Sequence, residues 1–404
     1  MTDVRDRKTL SEIGRWARSR PLHLLPWMIL LAGVALRPGP PVARPGLSED
    51  RIMDPAAFER LEPGRGRAAA SPWQIPLIGW RDILWRTLWE VLRDKLPSTA
   101  GGVTFYVLLA IFPAIAAFVS LYGLVSDVSA VERQLQGLSG VFPASVVQIV
   151  GEQMLRLAAR HEAPLSLALV VSLLLSVWSA NAGMKALVEG LNVTYDETEK
   201  RHFVRRTALT YVSTLGALMF LAVVALVLVA APVLLRRLGL VRADDLWIAL
   251  RWLLVLAVTA ASFAMIYRLG PSRTLARWRW VVCGAVFAAC AWLAGSLGFS
   301  WYVNHVAHFD ATYGPLGAVV AFMMWVWFSV MALLTGAEMN AEIEHQTAVD
   351  TTTGPERPMG QRGAAMADTV GKPFLLHESL SYGAGVARRQ AGHVLAPIKR
   401  LRKR

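Results

Sequence analysis

The sequence predicts an all-α polytopic membrane protein with six spanning helices and both termini in the cytoplasm. Three observations carry that expectation. Hydrophobic residues make up 54% of the 404-residue chain and charged residues only 18%, where soluble domains hold roughly a quarter charged. Six stretches are long and apolar enough for a ~30 Å hydrocarbon core, which takes about 20 helical residues to cross. The formal charge is nevertheless +13, and the basic residues gather in alternate connections and in the tails, the pattern that sets orientation. Such charge suits a protein facing anionic lipid better than a nucleic-acid-binding domain. Membrane lipid is therefore the expected partner, and nucleic acid is not.

Residues 1–72 read as a flexible basic extension, with Pro, Gly, Ala and Arg dominating Pro38–Ser71 as in a solvated linker. Its short apolar segment, Leu22–Leu36, is flanked by arginines on both sides. Spanning would push one basic flank outside, so an in-plane segment is expected, and Met53 offers an alternative start. Trp80–Lys95 has helical periodicity. Trp80, Ile83, Leu84, Leu88 and Val91 share one face, and Asp82, Arg86, Glu90 and Arg93 the other. Such a helix either lies in the membrane interface or packs its apolar face on the bundle.

The predicted membrane domain, 73–345, contains spans at Gly101–Val125, Leu165–Val188, Thr207–Leu235, Trp247–Leu269, Val281–Val303 and Pro315–Gly336. Pro113 should kink the first. Basic residues precede span one (Arg81, Arg86, Arg93, Lys95) and separate spans two from three (Lys200, Arg201, Arg205, Arg206) and four from five (Arg273, Arg277, Arg279). Asn304–Gly314 has none, which places that loop outside and both ends inside. Arg236, Arg237 and Arg242 weigh against this pattern, but the balance holds. The loop Ser126–Pro164 is too long for a simple hairpin and should form helices capping the outer side. Residues 346–404 read as a disordered basic cytoplasmic tail.

Few residues suggest chemistry. Cys283 and Cys290 lie seven positions apart in one apolar stretch, about 10 Å along a helix and too far for a disulfide; they read as ordinary buried residues. His305, His308 and Asp310 could supply metal ligands, but a metal usually wants three or four and no fourth is evident. No metal-hydrolase signature, phosphate-cradling loop or nucleophile elbow occurs. No catalytic residue, cofactor or metal is therefore expected. The notable polar residues are intramembrane. Asn181, Lys185 and Glu189 recur every four residues on span two; Thr335 and Glu338 share a face on span six, with Asn340 close by and Glu342 one turn on. Ionisable groups there are costly and face partners or water. The pattern favours an interhelical latch or headgroup snorkelling over a substrate or proton site, and it suggests that Lys185 faces Glu338. Gly284, Ala288, Ala291, Gly295 and Gly298 on span five allow close helix approach.

Several motifs occur in order on these segments. They are Thr99-Ala100-Gly101-Gly102-Val103-Thr104-Phe105-Tyr106 with Phe112-Pro113, then Leu191-Asn192-Val193-Thr194-Tyr195. Next come Phe299-Ser300-Trp301-Tyr302, Tyr313-Gly314-Pro315-Leu316-Gly317, Trp325, and Gly336-Ala337-Glu338-Met339-Asn340-Ala341-Glu342. Over about Trp73 to His345 the chain resembles the YihY/BrkB family of bacterial inner-membrane proteins, which long carried a ribonuclease BN label. The resemblance implies six helices, multi-pass residence in the inner membrane and an envelope role, with transport or export the common suspicion and no known substrate. The resulting expectation is a non-enzyme that exports an envelope-related, lipid-like substrate. The alternatives are a non-transporting scaffold for envelope assembly and, remotely, a ribonuclease. A homo-oligomer or an envelope-protein partner stays open.

Overall fold

The structure is a computed structural model that describes residues 55–122, 167–225, 245–307, 309 and 313–374. Leu22–Leu36, the loop Ser126–Pro164, Arg236, Arg237, Arg242, His308, Asp310 and residues 375–404 lie outside the described residues. Ile52–Gly371 forms one compact unit.

Within that unit the described elements are helical. Short α1 (Pro55–Leu61) leads through a 3-10 turn at Pro72–Gln74 into α2 (Leu77–Arg93). Six long helices follow: α3 (Leu96–Tyr122), α4 (Leu167–Thr194), α5 (Phe203–Ala225), α6 (Asp245–Leu269), α7 (Trp278–His305) and α8 (Gly317–Glu344). A last turn, α9, covers Ala365–Asp368. By length and apolarity, Trp252–Leu269, Trp278–His305 and Gly317–Glu344 can each cross a membrane, and Leu96–Ile111 is a shorter apolar stretch.

The helices outrun the predicted apolar spans at one end of the bundle. α8 runs eight residues past Gly336, and α4 six past Val188. The hydrophobic pattern stops where the polar residues begin, but the helix continues, and on α8 Asn340, Glu342 and Glu344 find partners there. α3 runs uninterrupted through Pro113. At the same end Lys95 takes a left-handed backbone, φ 53°, to turn α2 into α3.

The core follows the small-residue pattern. α3 packs most extensively along α4, and α7 along α8. A methyl group on Gly284 would stand 2.2 Å from the Gly336 carbonyl oxygen, and one on Gly336 2.5 Å from the Ala288 Cβ. These positions let two backbones approach as side chains could not. Reciprocal bonds pin the same pair, Trp292 Nε1 to Ser329 Oγ and Trp325 Nε1 to Ser296 Oγ, each at 3.1 Å. Tyr267 of α6 donates to the Leu333 carbonyl at 2.7 Å. Cys283 is half-buried, but Cys290 is exposed on the outward side of α7, so it is not the buried residue expected.

Three sequence expectations change. α2 packs with its polar face inward: Asp82, Arg86, Thr87 and Glu90 are buried, while Leu77, Leu84, Leu88 and Leu92 point out. Only Ile83 of the apolar set is fully enclosed. Such a helix is inside-out for water and right for a hydrocarbon boundary, where the polar side has to find protein partners.

The extension is not flexible throughout. Arg67 is fully buried, donating to Glu62 at 2.7 Å, to the Gln346 carbonyl at 3.0 Å and to the Gly371 carbonyl at 2.6 Å. Nor is Thr351–Asp368 disordered. Ala348, Thr351, Thr352 and Arg362 are buried, and the strap pairs with the α6–α7 loop through Arg277 N–H to Thr351 O and Thr353 N–H to Leu275 O. Low apolar content concealed both segments; buried hydrogen bonds and ion pairs hold them instead of a hydrophobic face.

Candidate functional site

The polar end of the bundle is built around the last two turns of α8. Glu338, Asn340, Glu342 and Glu344 are all at most 1% exposed. At 100° per residue the helix sends them to different neighbours, and three of the four are fully engaged.

Asn340 is a clasp on α7. Its Oδ1 accepts the Gly284 N–H at 2.7 Å, and its Nδ2 donates to the Val281 carbonyl at 2.8 Å. Glu344 receives both arms of the Arg273 guanidinium at 2.9 and 2.7 Å, and the Thr351 hydroxyl at 2.9 Å. The same guanidinium stacks 4.1 Å over the Tyr195 ring. Burial alone would lower the Arg273 pKa, but the Glu344 carboxylate overrides it and raises the value. Burial likewise pushes the Tyr195 phenol up. Glu342 accepts from Arg86 Nε, whose other arm reaches Gln346 Oε1 at 2.7 Å and the Glu342 carbonyl at 3.2 Å. The His345 ring stands 3.6 Å from the same carboxylate.

Glu338 differs. It is fully buried, and neither carboxylate oxygen has a hydrogen-bond partner among the described residues. One turn earlier on α8, Leu334 packs close to Gly190, as does Thr99 of α3; one turn later, Glu342 meets Arg86. The charged groups that act on Glu338 include Glu342, Asp94, Glu90 and Asp196, all acidic. Glu90 lies on α2 with its pKa pushed up to about 8. Burial is the main cause, opposed by Arg93 and reinforced by Glu342, Asp94 and Asp196. Burial also raises Asp94, again against Arg93. Arg93 serves three acids at once: Glu90 at 2.5 Å, Asp94 at 3.2 Å and Asp196 at 3.6 Å.

The expected partner of Glu338 is not there. Lys185 is half-buried on α4 and forms no ion pair with Glu338 or any other described residue. Glu189 instead pairs with Arg206 at the start of α5. Asn181 is buried with its side-chain oxygen unbonded, and Thr335 is half-buried. The sequence cluster therefore divides: Glu338 and Asn340 share the polar end, Glu189 belongs to the α4–α5 turn, and Lys185 stands apart.

The motif residues are mostly architectural. Asn192 Oδ1 accepts the Ser272 N–H at 2.8 Å and its Nδ2 donates to Glu199 at 3.2 Å, joining the α4–α5 and α6–α7 turns. Tyr106 lines the close approach to Gly183. Gly314 adopts φ +55° where the chain turns into α8 at Gly317. Tyr302 and Tyr313 are exposed, the latter stacked on Phe309. His305 stacks on Trp301 with ring centroids 5.5 Å apart. Arg67 and Gln346 escaped the sequence reading, and Arg273 entered it only as an orienting charge. Arg86 and Glu90 did carry a signal, four apart on the polar face of α2, but their partners lie over 240 positions away for Arg86.

A family model for Virulence factor BrkB matches residues 87–360, more than half of the chain. Among curated proteins, the ribonuclease-like protein YfkH of Bacillus subtilis is 32% identical over 257 residues, covering 60% of this chain and 88% of its own. A UPF0761 membrane protein of Cronobacter sakazakii is 26% identical over 307 residues, 73% of this chain and 95% of that protein. Another, of Chromohalobacter salexigens, is 28% identical over 279 residues, with 65% of this chain covering 64% of its length. No solved structure matches. The match reaches from Thr87 on α2 to Gly360 in the strap beyond α8, taking in Glu90, Arg93, Arg273 and Glu338 to Glu344 but not Arg67 or Arg86, and the chain belongs to the Virulence factor BrkB family of membrane proteins.

Proposed function

We propose that this protein exports an envelope-related, lipid-like substrate across a bacterial inner membrane, with α3 to α8 as six crossings and both termini cytoplasmic. One observation carries the reading: Glu338, a fully buried carboxyl in a membrane-long helix, with no hydrogen-bond partner among the described residues. A latch needs a second half, and every other acid at the end of α8 has one. An intramembrane ionisable residue without a structural use points to a pathway. The outward leucines of α2 support contact with lipid along the same side of the bundle.

The engaged residues favour a second reading. Arg86–Glu342, Arg273–Glu344 and Asn340–Gly284 make the polar end rigid, as a scaffold for envelope assembly would require, with an envelope protein or a second copy of this chain as partner. In neither reading is the protein an enzyme. The ribonuclease-like name belongs to the Bacillus relative, and RNA cleavage that follows the purified protein and disappears on a point substitution would establish it here.

Native mass spectrometry from lipid nanodiscs tests the two main readings. Export predicts a retained lipid-like molecule that flips in proteoliposomes, with flipping lost in Glu338→Ala while the variant stays folded. A scaffold predicts no flipping and full complementation by Glu338→Ala.

A further inference from the structure

Four carboxyls at the polar end form a graded series from solvent inward. The Asp196 side chain is 54% exposed, Asp94 11%, Glu90 9%, and Glu338 is fully buried. They come from three places in the chain: the turn after α4, the end of α2, and α8. Arg93 is the cation serving the outer three. The other groups facing Glu338 bring no relief. Glu342, on its own helix, is taken by Arg86 and His345, and Tyr195 contributes a buried phenol at the end of α4. Lys185 of α4 is not paired with it.

An ionised Glu338 would thus sit without a hydrogen bond from any described residue, in low dielectric, among further acids. Either feature is costly by itself. What the site can accept is a positive charge needing neither room nor a coordination shell. A divalent metal wants several ligands at fixed geometry, and among the described residues no group of three His, Cys, Asp or Glu is placed to hold one. A proton needs a single oxygen.

We propose that Glu338 is a proton-binding site inside the bundle, loaded from the cytoplasmic side through Asp196, Asp94 and Glu90. Each transfer moves one proton between carboxyl oxygens, directly or through water, leaving a carboxylate behind, and no other reactant is consumed. Glu90 suits the middle of such a relay, because a carboxyl titrating near neutral pH exchanges readily in either direction. The inference deepens the export reading by naming a coupling ion, but proton binding can be measured without any substrate.

The test uses the full chain in nanodiscs. Infrared difference spectra between about pH 5 and about pH 9 should show the carbonyl band of a protonated, desolvated carboxyl. That band should be lost in Glu338→Gln, and its titration midpoint displaced in Glu90→Gln. For wild-type protein, an apolar carbodiimide, which attacks protonated carboxyls, should label the Glu338 peptide, with labelling falling as pH rises. This arm needs no variant to fold. A wild type without the band, a band unchanged in Glu338→Gln, or a Glu338 peptide unlabelled at every pH overturns the proposal. So does a band removed by sodium at fixed pH, which would make the ligand a metal cation. Failure to flip lipid with the band present would sink the export reading and leave the proton site standing.

Discussion

Arg273 and Glu344 form a two-armed ion pair, 1% and 0% exposed, that ties the α6–α7 loop to the last turn of α8. Removing one partner from a buried pair strands the other charge and typically costs about 3–5 kcal/mol, whereas an apolar pair of similar volume can be neutral. Arg273→Ala and Glu344→Ala should each lower thermal stability in nanodiscs to that extent. Arg273→Met with Glu344→Leu should recover much of the loss. Losses that merely add in the double variant would show that the two residues are not coupled.

Gly284 permits the α7–α8 crossing, whereas a methyl group on Gly298 of the same helix would meet no described neighbour within 4 Å. Gly284→Ala should cost about 1–3 kcal/mol by overpacking, while Gly298→Ala should stay within roughly 0.5 kcal/mol. Equal melting temperatures for the two variants would remove Gly284 from the contact.

These two contacts mark how far the sequence could be read. Small residues repeated along α7 announce a close approach through their spacing alone, and the apolar lengths announce the long helices. Arg273–Glu344 leaves no such trace, because its members are 71 positions apart and each looks like an ordinary boundary charge. The Lys185–Glu338 expectation failed for a related reason. Periodicity assigns a residue to a face but does not say which neighbour that face meets, and the facing elements turned out to be α2 and the turn after α4. The described end of the extension was read as flexible and the strap as disordered because composition registers apolar burial. Arg67, Arg362 and Thr351 are buried by hydrogen bonding instead.

Glu90 gives the polar end a pH signature. Its folded pKa is about 8 against an unperturbed value of about 4.3, so the folded state holds a proton that the unfolded chain has released. The stabilisation is complete below the unfolded value and is lost as pH rises through about 8. Melting temperature should therefore fall between mildly acidic and alkaline pH, and Glu90→Gln should flatten that part of the profile. An unchanged slope in the variant would show that another group is responsible.

The outward leucines of α2 should lie against acyl chains. With Cys283 and Cys290 replaced, a spin label at Leu88 should collide readily with oxygen, which partitions into lipid, and poorly with a water-soluble nickel complex. A label at Leu84 should behave alike. Preferential collision with nickel at both sites would place α2 in water and leave its inverted polarity unexplained.

Topology follows from contacts among helix ends. The Lys200 N–H donates to Ser272 Oγ at 2.9 Å, and Arg201 donates to the Gly270 carbonyl at 2.7 Å, so the α4–α5 and α6–α7 turns share one end of the bundle. Arg277 Nε donates to the Thr352 carbonyl at 2.8 Å and Arg67 to the Gln346 carbonyl at 3.0 Å, which adds the end of α8 and the segment before α2. All four lie at one end of the bundle, and the arginines and lysines there predict that this end faces the cytoplasm. Reporters fused after Lys200, Arg277 and Thr353 should read cytoplasmic together, and a reporter near Val306, at the far end of α7, should read external. The four positions are linked: if Lys200 and Arg277 read on opposite sides, the hydrogen bonds between their turns cannot exist and the bundle itself is wrong. If all four invert together, the bundle stands and the charge argument alone has failed.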